Sequence, residues 1–168
     1  MIRSKYFYMK KVYDKEGKYL GIIEDLVLDF FCGKIIGFKL SLSSLFSKKN
    51  FVPIDKVISI NEKVIIEESI KFNGLYFKDI KRLEILNLNG HMLGVLEDLI
   101  INRENYNIVG LIVSTGIIEE IIKGKKIFLI EDCILGEQSI MYIGNKNIEL
   151  KILAKGLVNR EDGRKEKA

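Results

Sequence analysis

The chain has 168 residues, 48% of them apolar and 30% charged, with 14 glycines, one proline and no tryptophan. That is the size of one mid-sized domain or two small ones, and the balance excludes both a disordered chain and a lipid-embedded one. The formal net charge of +4 equals what Arg3, Lys5, Lys10 and Lys11 carry within the first 11 residues, and residues 83–155 hold seven basic against ten acidic side chains, not the continuous basic face of a nucleic-acid binder.

Residues 1–11 lack the apolar core of a signal segment. Apolar stretches such as Val109–Ile118 fall short of the roughly 18 residues that a membrane-spanning helix needs. The expectation is a cytoplasmic chain with no membrane span. In chain order, Asp14-Lys15-Glu16-Gly17 begins with Asx and ends with Gly, the chemistry of a tight hairpin turn. Leu20–Asp29 follows as a strand rich in Ile, Val and Leu, with Gly21 marking a bulge or bend. Cys32 falls in a turn, and Lys34–Leu42 is a third strand with a central Gly37 at another bend. The loop Ser43–Asn50 leads to a strand at Val52–Ile58. Residues Glu67–Arg82 are too apolar for a solvated tether, through Ile70, Phe72, Leu75, Tyr76, Phe77 and Ile80, and are expected to pack against one or both flanking lobes.

The second half restates the first. A shift of 73 residues aligns 14–41 with 87–114 without a gap, and nine of the 28 positions are identical: Gly17, Leu20, Gly21, Glu24, Asp25, Leu26, Ile35, Gly37 and Ser41. The counterparts include the turn Asn87–Gly90, Gly94, Glu97-Asp98-Leu99 and Gly110. After a three-residue insertion, Phe128–Ile134 answers Val52–Ile58. A helix is predicted only at Gly116–Lys123, where Ile117, Ile118, Ile121 and Ile122 share a face and Gly124 follows as a stop. The resulting division is a first repeat over 1–72, a packed join over 73–82, a second repeat over 83–155 and a charged tail over 156–168, with residues 12–66 and 83–150 expected to superpose.

The order Asp14, Gly17, Gly21, Glu24-Asp25-Leu26, Gly37-Phe38-Lys39-Leu40 and Val52–Ile60 resembles the PRC-barrel domain. That family is a small β-barrel found in the cytoplasmic part of the H subunit of photosynthetic reaction centres, in the C-terminal half of a ribosome maturation factor and in short bacterial proteins linked to sporulation. The resemblance implies a mainly β protein of two small antiparallel barrels in tandem, with at most short helices. It also implies a non-enzymatic adaptor or assembly module, with a ribosome- or RNA-associated factor as the alternative. Two departures stand in the second copy, Leu129 for Pro53 and Asn102 for Asp29.

Chemistry-bearing residues are few. His91 is the one imidazole and sits in the second copy's turn, while Cys32 and Cys133 are isolated thiols with no ligand-type neighbour, so no disulfide, metal or cofactor is expected. Glu24-Asp25 and Glu97-Asp98 could divide acid and base duties, but adjacent strand residues face opposite ways. Asp25 and Asp98 are therefore read as acceptors of backbone or turn hydrogen bonds. The two loops, at Leu45, Phe46, Lys48 and Lys49 and at Ile117, Ile118, Ile121, Ile122, Lys125 and Lys126, rim apolar residues with cations, a pattern that fits either a cap on the barrel's open end or a contact surface, and they are the candidate contact surface. Such a surface suits an acidic protein partner, and association with a second copy of the chain stays open. Gly17, Gly21, Gly37, Gly90, Gly94 and Gly110, with Asp25 and Asp98, complete the set as turn and bend residues.

Overall fold

The computed structural model describes residues 1–43, 49–116 and 124–144. The helix expected at Gly116–Lys123 falls almost wholly outside them. The first half contains β1 (Ile2–Arg3), a 3-10 turn (Ser4–Tyr6), β2 (Lys11–Asp14), β3 (Tyr19–Asp29), β4 (Lys34–Leu42), β5 (Phe51–Pro53), a second 3-10 turn (Ile54–Lys56), β6 (Val57–Ile60) and β7 (Lys63–Ile66). The second half repeats this order as β8 (Leu75–Tyr76), α1 (Phe77–Ile80), β9 (Glu84–Asn87), β10 (Met92–Ile101), β11 (Ile108–Ser114), β12 (Lys126–Leu129), a 3-10 turn (Ile130–Asp132), β13 (Cys133–Leu135) and β14 (Ser139–Tyr142).

The sheets run β5-β4-β3-β2-β7-β6 and β12-β11-β10-β9-β14-β13. Their outermost strands, β5 with β6 and β12 with β13, are joined by single three-residue 3-10 turns. Consecutive strands at opposite edges force each sheet to curl until those edges meet, which produces a barrel and leaves little open edge. Pairing is antiparallel except between β2 and β7 and between β9 and β14, which are parallel.

Local chemistry explains the curl. The Asp14 carboxylate accepts from the Glu16 and Lys18 amides, and Gly17 takes φ 84°; Asn87 does the same for Asn89 and His91, with Gly90 at φ 77°. Register shifts at Glu24 and Glu97 are bulges at equivalent positions, and each sharpens the local twist. Gly21 lies at φ 151°, and a Cβ there would stand 2.1 Å from the Ser41 carbonyl oxygen. At Gly37 and Gly110 the cause is proximity, since a Cβ would stand 2.2 Å from the Val52 carbonyl oxygen and 2.7 Å from that of Phe128, with no left-handed backbone at either.

Residues 75–82, expected as part of a join, are the counterpart of residues 2–9. Each set forms a two-residue strand, one helical turn and then a non-glycine residue at positive φ, Met9 at 64° and Arg82 at 75°. These leaders are exchanged. Ile2 pairs with Ile101 of the second repeat, and Leu75 pairs with Leu28 of the first, the equivalent position. Between them Lys34 bridges Asn107, its own counterpart, flanked by Ile35 N–H to Tyr106 O and Ile108 N–H to Gly33 O. The pairing is thus symmetric under exchange of the repeats. Phe7, Phe38, Leu26, Phe77, Leu99 and Leu111 belong to a single buried cluster drawn from both halves. The two halves therefore share one core instead of forming the separate small domains that their size allows.

Candidate functional site

The recurring Glu-Asp-Leu triplets lie where each leader crosses onto the opposite barrel. Asp25 and Asp98 are among the few buried polar side chains, 1% and 6% exposed. A buried carboxylate needs hydrogen bonds, and each has several. Asp25 accepts from its neighbour's amide, Leu26 N–H, from the Tyr8 hydroxyl at 3.0 Å and from Lys78 N–H at 3.2 Å in the second leader. Asp98 accepts from Leu99 N–H, from the amide and hydroxyl of Ser4, and from Arg3 Nε at 2.7 Å. Burial and the adjacent Asp25 charge push the Tyr8 hydroxyl well above the ordinary tyrosine pKa, so it stays a donor.

Glu24 and Glu97 lie at the bulges and meet cations. Glu24 pairs with Lys39, and Glu97 with Arg3 and Lys125. Burial opposes the charge on Lys39, but the hydrogen bond and charge of Glu24 outweigh it and raise the ammonium pKa. In the second repeat Glu97 and Asp98 converge on one guanidinium, that of Arg3, and the geometry the carboxylates form is a clamp on the leaders. His91 is exposed. Burial and the nearby Asp132 push the Cys133 thiol up to about 12, and a hydrogen bond with Asp29 raises that of the exposed Cys32. Neither is primed as a thiolate nucleophile. Among the described residues no group of three His, Cys, Asp or Glu side chains could hold a metal ion, and no helix is long and apolar enough to cross a membrane.

Of the loop residues expected to meet a partner, Leu45, Phe46, Lys48, Ile117, Ile118, Ile121 and Ile122 lie outside the described residues. The stems of those loops are described. Lys49 is exposed, and Lys125 and Lys126 are half-buried. Beside the second stem lies an open cleft of about 580 Å³ lined by Met92, Leu93, Val95, Ser114, Thr115 and Lys126. Of these, Met92 is 55% exposed. A second cleft, about 560 Å³ and mainly apolar, lies between the first leader and the second barrel, lined by Met1, Ile2, Tyr6, Ile100 and Ile112. At the matching place on the first barrel, Lys39 occupies the position of Ile112 and its ammonium stands 5.2 Å over the Tyr76 ring.

The basic N-terminal segment is partly used inside the fold. Arg3 is bound to Asp98 and Glu97, and Lys10 donates to the Asn61 carbonyl and lies 4.3 Å over the Tyr6 ring. Sequence reasoning missed the clamp because its partners lie 94 and 95 residues apart. Along residues 2–13 and 75–86 only Lys5 and Lys78 are identical, so the leaders carry almost no repeat signal.

No curated protein matches this chain. The family model for the PRC-barrel domain matches it twice, over residues 2–73 and again over 72–134. Each match begins with the leader, the second ending within β13, and the chain belongs to the PRC-barrel domain family, as two copies in tandem.

Proposed function

We propose that the chain is a non-enzymatic binding module that holds a protein partner at the cleft beside the second loop stem. The supporting observation is the exposed Met92 in the lining of that cleft, an apolar side chain with Lys126 among the other lining residues. Apolar anchors set within a polar rim are a common source of binding energy, whereas rim cations set association rate and salt dependence. An acidic partner surface fits this arrangement, and the adjoining residues Ile117, Ile118, Ile121 and Ile122 extend the apolar character in sequence.

The test is cross-linking of the intact chain in native lysate, followed by titration of the protein recovered. Met92→Asp and Ile121→Ser each weaken that binding at least tenfold, with the thermal midpoint unchanged. Unchanged affinity in both variants overturns the reading. Recovery of RNA in place of protein, with affinity falling steeply as salt is added, replaces it with the nucleic-acid alternative.

A further inference from the structure

We propose that the leader groove of the second barrel, formed by the edge of β10 and the Asp98 clamp, also accepts the leader of a second copy of this chain, giving a dimer by exchange of residues 1–8. The fold already shows a leader seated on a barrel other than the one it precedes: Ile2 and Arg3 pair with Ile101 and Ile100, and Ser4 is fixed by Asp98. Every contact the first leader makes is therefore with groups that a second copy presents identically. Seating it in trans preserves Phe7 in its buried site, Tyr8 on Asp25 and Arg3 on Asp98, and changes only the path of the connection.

That connection is Met9. Its φ of 64° turns the chain back onto its own barrel, and its side chain is 71% exposed. A non-glycine residue favours this left-handed backbone poorly, so an extended hinge releases strain while the docked surfaces stay the same. The same kink recurs at Arg82, but there both ends of the leader are held within the chain by the flanking barrels.

The experiment uses two full-length chains, one carrying Ile2→Cys and the other Ile101→Cys, both with Cys32→Ser. Mixed at high concentration and then oxidised, they form a disulfide between positions 2 and 101, which can arise only in trans. The expected result is a covalent heterodimer in several-fold excess over the dimers that either chain forms alone. Met9→Gly, which accepts the kink, lowers its yield several-fold. Met9→Val, which resists the kink while keeping the amide, raises it. A heterodimer no more abundant than the single-chain controls overturns the proposal, as does a yield that neither Met9 variant moves.

Discussion

Two kinds of glycine look alike in the sequence and differ in what fixes them. Gly17 and Gly90 supply a left-handed turn with nothing within 4 Å of an added Cβ, whereas Gly21 and Gly94 combine positive φ with a carbonyl oxygen 2.1 and 2.5 Å from that position. Gly17→Ala meets only the backbone preference and costs about 1 kcal/mol. Gly21→Val adds a collision with the neighbouring strand's backbone and costs about 3 kcal/mol. Denaturant melts of the two variants check the ordering, and equal losses would remove the close-approach argument. The repeat makes these glycines visible in the sequence. It could not reveal the clamp, because Asp98 meets Arg3 and Ser4 only after nearly a hundred residues of chain have folded between them. A side chain's partners are set by topology, and topology is not local.

Among the elements, the 3-10 turns that close the barrels show how little a sequence departure can matter. Leu129 stands where the first repeat has Pro53, yet both precede a three-residue turn with nearly the same backbone, φ −66° and ψ 141° against φ −60° and ψ 145°. Both also pair with the equivalent glycine, Gly110 or Gly37. Leu129→Pro is therefore tolerated within about 1 kcal/mol, because proline's fixed φ already matches this backbone. A loss of several kcal/mol in a chemical melt would show that the Leu129 amide is needed in the ladder. Strands and hairpins were legible because alternation and turn chemistry are written in adjacent residues. The leaders were not, since a two-residue strand has no period and its apolar positions, Phe7 and Ile80, are filled by different residue types.

For the molecule as a whole, the shared core predicts one unfolding transition. Leu26 and Leu99 are equivalent, fully buried and members of the same cluster. Leu26→Ala and Leu99→Ala each cost about 3 kcal/mol, or roughly 10 °C in midpoint at this chain length. In calorimetry each variant shifts a single peak, and a second peak left at the parental temperature would show that the halves unfold separately. The fold class and the tandem order were readable from the 73-residue register, but the sharing of a core was not, because apolar pattern marks what is buried and not against which half. The bridge between Lys34 and Asn107 has a further bearing on how such a protein can change. In a pair of identical subunits the residue at that place would meet its own copy, and lysine there would face lysine. Joining the halves in one chain lifts that requirement of self-compatibility, so each side of the seam can be altered alone, as the lysine opposite asparagine already illustrates.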